Sequence, residues 1–217
     1  QAMGCGSSAT PKGDRADPLK EGVVTPIAPT KPTGLQGDAW LSEALGRLEK
    51  ELGSSPRICI LGGTEFKGAD TEELVKATAA ELAAKCAAGA TILTGGMGGV
   101  QKAFALSCGD GSLVKNLLPE GQASGYGVGK DIFAGKDLEQ RKALFGRIGD
   151  IYVTFEGGPG VAQEANDAVA RGALVVPFVR TGGASSGMFE FPAAALEKPS
   201  CASAEQWAAL KDPKAPV

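Results

Sequence analysis

Asp150-Ile151-Tyr152-Val153-Thr154-Phe155-Glu156-Gly157-Gly158-Pro159-Gly160-Val161-Ala162-Gln163-Glu164 decides the fold. An apolar run of strand length stops at a glycine cluster, and helical spacing begins behind it. Pro159 presets φ for a first helical turn. Gly157, Gly158 and Gly160 clear side chains from the place where the first N–H groups of that helix have no intrahelical partner. An apolar run stops at a glycine cluster in three more places, and in three or four of the four cases a helical pattern follows. Residues 57–61 precede Gly62-Gly63-Thr64, residues 90–94 precede Gly95-Gly96-Met97-Gly98-Gly99, and residues 173–179 precede Arg180-Thr181-Gly182-Gly183.

Working outward, residues 38–52 carry Trp40, Leu41, Leu45, Leu48 and Leu52 at helical spacing, and Gly53 stops them. Residues 71–88 repeat the pattern with Val75, Ala79, Leu82 and Cys86, capped by Asp70 or Thr71 and ended by Gly89. A helix over 100–107, strands over 112–119 and 131–134, and helices over 137–149 and 161–171 follow. Residues 188–196 are also spaced as a helix, and a short one over 204–210 stops before Pro213. Strand alternating with helix predicts a mainly parallel sheet covered on both faces, an α/β three-layer Rossmann-like fold. Residues 38–217 form one nucleotide- or phosphate-binding domain in this reading. Residues 1–37, rich in Gly, Pro, Ser and Thr and without periodicity, read as a flexible tail.

The 217 residues carry a net charge of −3, which offers no basic field for nucleic acid. Histidine is absent, which excludes Ser-His triads, His-ligated metals and His acid–base catalysis. The five cysteines are widely spaced, form no metal-binding pattern, and read as buried free thiols of a reducing cytosol. No metal ligand set is expected, and no apolar stretch reaches membrane-spanning length.

The loops after parallel strands share one sheet edge, where bare N–H groups and helix N-termini attract anions. Gly95-Gly96-Met97-Gly98-Gly99 is neither a dinucleotide fingerprint nor a P-loop. Its two glycine pairs suit backbone approach to a ligand, or a tight turn of positive φ. Gly62, Gly63 and Thr64 open the equivalent loop of the first unit. Gly157, Gly158, Pro159, Gly160 and Val161 form the sharpest anion seat. Glu164, one turn into the helix, serves either as a complement to the helix dipole or as a general base.

Arg141-Lys142 on a helix, then an apolar strand, then xGGxGxxxE resembles the lysine decarboxylase-like Rossmann proteins. These include the LONELY GUY phosphoribohydrolases and the molybdenum-cofactor carrier proteins. The similarity runs over residues 57–195. By this resemblance Gly157, Gly158 and Gly160 would bind phosphate, Gly95–Gly99 would line the same cleft with Lys142 nearby, and Arg141 and Glu164 would be the catalytic pair. The ligand would be a nucleotide, phosphate or molybdenum cofactor, with no cofactor required for activity, and the protein would be a homo-oligomer. Two positions depart from the hydrolase motif, which has Pro where Glu156 stands and Thr where Val161 stands. They move the reading toward binding of a nucleotide or phosphorylated pterin-like ligand, with cleavage of the N-glycosidic bond of a nucleoside 5′-monophosphate as the alternative. Decarboxylation has no support in the residues.

Met3-Gly4-Cys5-Gly6-Ser7-Ser8 fits an N-myristoylation pattern, with Cys5 placed for palmitoylation. Counted from Met3, these two lipids would hold a cytoplasmic protein at a membrane surface. The alternative is a Gly/Ser-rich tail that matches by chance.

Overall fold

The computed structural model describes residues 36–54, 56–86, 89–109 and 111–217. The expected tail, with Gly4 and Cys5, lies outside them, save for its last two positions. Six strands form one sheet: β1 (Arg57–Gly62), β2 (Thr91–Thr94), β3 (Val114–Leu118), β4 (Lys130–Phe133), β5 (Ile151–Phe155) and β6 (Leu174–Phe178). Every neighbouring pair is parallel, and the order is β4-β3-β2-β1-β5-β6. The helices are α1 (Gln36–Leu52), α2 (Thr71–Cys86), α3 (Val100–Leu106), α4 (Leu138–Ile148), α5 (Pro159–Ala170) and α6 (Ala204–Ala209). This is the Rossmann-like α/β fold that the alternation predicts.

Strand periodicity divides the core. Cys59 and Leu61 of β1 pack with α1, α4 and α5, whereas Ile58 and Ile60 pack with α2 and α3. Tyr152 and Val153 of β5 split between the two layers in the same way. The chain steps outward from β1 to β4, and then α4 returns it to β5 on the other side of β1. Loops after β1 and β5 therefore diverge to opposite faces, which opens the crevice where ligands bind in open α/β sheets. Gly62 pairs with Phe155 at the last rung, so both loops leave the sheet at one level.

Local signals set the helix ends. Asp137 caps α4 by accepting from Gln140 N at 2.8 Å. Gly53 closes α1 at φ 78°, its N–H on Glu49 O at 3.0 Å. Neither candidate cap of α2 works as one. The Asp70 carboxylate is drawn to Arg180 at 2.8 Å, and Thr71 Oγ1 is buried without a partner. Residues 188–196 are not an α-helix. Phe189 and Glu190 sit at φ 59° and 58°, Pro192 follows, and only Ala193–Leu196 forms a 3-10 turn. The thiols also depart from expectation, because Cys86 is half-buried and Cys201 exposed, while Cys59 and Cys108 are buried. Among the described residues, no helix is long and apolar enough to cross a membrane.

Candidate functional site

The crevice between β1 and β5 holds a cleft of about 300 Å³. Three loops wall it: Gly63, Thr64, Glu65 and Lys67 after β1, Glu156, Gly157 and Gly158 after β5, and Thr181 and Gly183 after β6. Helix α5 starts at its edge. Gly158 is the N-cap, Pro159 follows, and no side chain caps the helix. A Cβ on Gly158 or Gly160 would meet nothing within 4 Å. The first N–H groups of a 12-residue helix thus lie beneath glycines, and the helix contributes about half a positive charge there. The Val161 side chain turns away from the cleft into the core beside α1 and α4. A Cβ on Gly157 would stand 2.6 Å from Val161 Cγ2, so this glycine is required by packing as well as by its φ of 93°.

Glu156 is the strained member of the cleft, a non-glycine residue at φ 48°. Such a conformation costs about 1–3 kcal/mol and persists where the surroundings over-determine it. Here they do. Glu156 N donates to Thr181 Oγ1 at 2.7 Å, and Glu156 O accepts from Ser185 N and Oγ, each at 3.0 Å. The residue is 2% exposed, and its carboxylate accepts from Lys67 N at 3.0 Å and Gly68 N at 2.7 Å. Glu156 therefore locks the loop after β1 to the loop after β6. In the sequence Glu156 adds a negative charge beside the anion seat unless it is paired or turned away, and here it is paired with backbone N–H groups. The residue's clamping role, together with Lys67 and Ser185, depends on non-local contacts that no motif encodes. Thr181 and Gly183 had a signal, the fourth run ending in glycine.

The loop after β2 is built differently. Gly95 N and Met97 N both donate to Gln101 Oε1, at 3.0 and 3.2 Å, and Gly96 N donates to Thr94 Oγ1 at 3.3 Å. Close packing accounts for its glycines: a Cβ would strike the Arg141 guanidinium at Gly95, Leu118 at Gly96 and the Gly63–Thr64 backbone at Gly99. Gly98 faces Thr64 O, and the Tyr126 hydroxyl donates to Met97 O. This loop buttresses the cleft by holding Gly63 and Thr64 from behind, and none of its residues lines the cleft wall.

Arg141 of α4 and Glu164 of α5 are brought together below that loop. Arg141 Nη1 donates to Glu164 Oε1 at 2.8 Å and Nη2 to Gly95 O at 3.0 Å, and both residues are buried. Arg141 Nε has no partner, and the guanidinium lies 5.1 Å from the Phe145 ring centroid. Burial pushes the Glu164 carboxyl up to about 7, against the downward pull of Arg141 and Lys142. Lys142 itself stands at the helix surface, paired with Glu139 at 2.8 Å. Neither Arg141 nor Glu164 lines the cleft. A larger groove of about 490 Å³ lies between α2 and the end of α3, lined by Ala80, Ala83, Cys108 and Leu113 among others, without a charged side chain. Among the described residues, no cluster of acidic or cysteine side chains is fit to hold a metal.

No family model and no curated protein matches the chain. Solved structures do resemble it. The X-ray structure of TM1055 aligns with a TM-score of 0.51 at 23% identity, over 60% of this chain and 78% of that one. This likeness carries the fold, a Rossmann-like α/β domain. The molybdenum cofactor carrier protein of Chlamydomonas reinhardtii aligns at 0.46 and 21% identity, over 57% of this chain and 75% of that one. DNA processing protein A of Helicobacter pylori aligns at 0.46 and 17% identity, over 59% and 68%.

Proposed function

We propose that the chain binds a small phosphorylated ligand, a nucleotide or a phosphorylated pterin-like molecule, with its phosphate on the backbone N–H groups that open α5. The observation that carries this reading is the uncapped, glycine-cleared start of α5, set at the β1/β5 crevice. The helix end contributes roughly 0.3–1 kcal/mol toward an anion, and up to about 2 kcal/mol where water is partly excluded. The cleft of about 300 Å³ suits a single small ligand. Lys67 at the rim adds a positive charge, and Glu65 and Glu156 supply acceptors for hydroxyl or amine donors.

Binding without turnover is favoured because Arg141 and Glu164 close on each other outside the cleft lining. One observation favours the second reading, cleavage of the N-glycosidic bond of a nucleoside 5′-monophosphate. Glu164 is buried beside an arginine with its carboxyl raised to about 7, where a carboxyl can pass a proton at neutral pH. A panel of nucleoside 5′-monophosphates, titrated calorimetrically and then chromatographed for free base, separates the two. Binding with no free base is expected. Released base that disappears in Glu164→Gln would establish the hydrolase, and a panel with no binding member would overturn the proposal.

A further inference from the structure

The loop after β1 ends in a second place built for an anion, and the chain fills it with its own carboxylate. Lys67 N and Gly68 N point out just ahead of α2, a helix of 16 residues. They are loop donors, three and four residues ahead of Thr71, at the same sheet edge as the helix donors that open α5. Thr71 Oγ1 stands with them, in a fully buried residue and without a hydrogen-bond partner. Its hydroxyl points at Gly68: a Cβ there would lie 2.5 Å from Thr71 Oγ1 and 3.3 Å from Glu156 Oε1. The donors of this seat converge on Glu156, which reaches across from the end of β5.

The two seats are neighbours in one cleft. Glu156 lines that cleft together with Gly157 and Gly158, the N-cap of α5, and a Cβ on Gly63 would stand 3.5 Å from Glu156 Oε2. An anion at α5 with a second phosphate beside it would bring that phosphate against the Glu156 carboxylate. The carboxylate is held in place by the hydrogen bonds from Lys67 N and Gly68 N in a residue 2% exposed, while Thr181 and Ser185 pin the backbone behind it.

We infer that Glu156 restricts the cleft to ligands with a single phosphate, by occupying with a fixed carboxylate the seat that a second phosphate would need. The inference rests on the phosphate-binding reading above and specifies its ligand class: monophosphates are accepted, and diphosphates are rejected by like charge. It also explains why a strained residue is tolerated at this position. Glycine would relax the backbone but leave the seat open.

Calorimetric titration with inorganic phosphate and with pyrophosphate tests it, on the wild type, Glu156→Gly and Glu156→Gln. Glycine suits the φ of 48° and empties the seat, while glutamine keeps the bulk and removes the charge. The wild type should bind phosphate about 10-fold more tightly than pyrophosphate, since like-charge contacts cost enough to shift affinity by that factor or more. Glu156→Gly should reverse the order, and Glu156→Gln should narrow the gap. The same preference ratio in all three proteins would overturn the inference and leave Glu156 as a backbone clamp alone. If phosphate binds and Gly158→Asp abolishes that binding while the ratio stays fixed, the phosphate-binding reading stands and only the inference falls. If neither anion binds any of the folded proteins, both fall.

Discussion

Replacing Glu164 by Gln removes the carboxyl of the Arg141 pair, which burial raises from 4.5 to about 7. The native state therefore holds this proton more tightly than the unfolded chain. The resulting stability is fully present below about pH 4.5 and is lost as pH climbs through 7. At about 1.36 kcal/mol per pH unit the whole effect is roughly 3 kcal/mol, of which roughly 2 kcal/mol falls between pH 5 and 7.5. The chain has no histidine to add to the effect between pH 5 and 7.5, and Asp131 and Asp150 are held below the usual carboxylate range by hydrogen bonds from Ser124 and Asn116 and from Arg57, against the upward push of burial. Urea unfolding at pH 5.0, 6.0, 7.0 and 7.5 reads the effect. With a slope of about 2 kcal/mol per M, the midpoint of the wild type should fall by about 1 M across the series. The Glu164→Gln midpoint should stay nearly level, because glutamine still accepts from Arg141 but does not titrate. A wild-type midpoint that is flat or rises with pH would refute the claim that burial outweighs Arg141. An equal slope in the variant would assign the proton to another group.

Three other substitutions probe the cleft and the loop that supports it. Gly158→Asp places a carboxylate at the N-cap of α5, where space is open; thermal unfolding should show a gain of a few tenths of a kcal/mol, while phosphate affinity drops about 10-fold or more. Gly183→Ala forces a Cβ to 2.5 Å from Gly157 O at a φ of 58°; denaturant unfolding should show a loss of about 2–4 kcal/mol, because backbone must move. Tyr126→Phe deletes the hydroxyl bond to Met97 O; it should cost about 1 kcal/mol and speed amide exchange in the loop after β2.

The fold is legible in the sequence because it is written locally. Four of the six strands are short apolar runs that stop at a glycine cluster, and caps such as Asp137 and Gly53 act on neighbours within a few residues. The six parallel strands and their flanking helices follow from that alternation. The stretch 188–196 misleads, since its apolar spacing suits a helix while Gly187 and Pro192 break the backbone around two residues of positive φ. The start of α5 is also legible, because Pro159 and its flanking glycines act within one turn. The geometry around it is not. Glycines at 95, 96 and 99 give the same sequence signal whether they admit a ligand or an arginine, a leucine or another loop. Glu156 looks like a misplaced charge until the partners at Lys67, Gly68, Thr181 and Ser185 are in place, and these lie 25 to 89 residues away. The burial that raises Glu164 likewise comes from packing of α4 on α5 beneath the Gly95 loop, which spacing alone does not reveal.

An anion on the start of α5 underlies both the proposed function and the role of Glu156. The most direct measurement is an amide NMR titration of the full chain with inorganic phosphate, repeated on Gly158→Asp. Saturable shifts centred on Gly158, Gly160 and Val161 are expected in the wild type, with smaller changes at Gly157 and Gly183 across the cleft, and their loss in the variant. Shifts centred on another loop, or the same shifts surviving in Gly158→Asp, would contradict it.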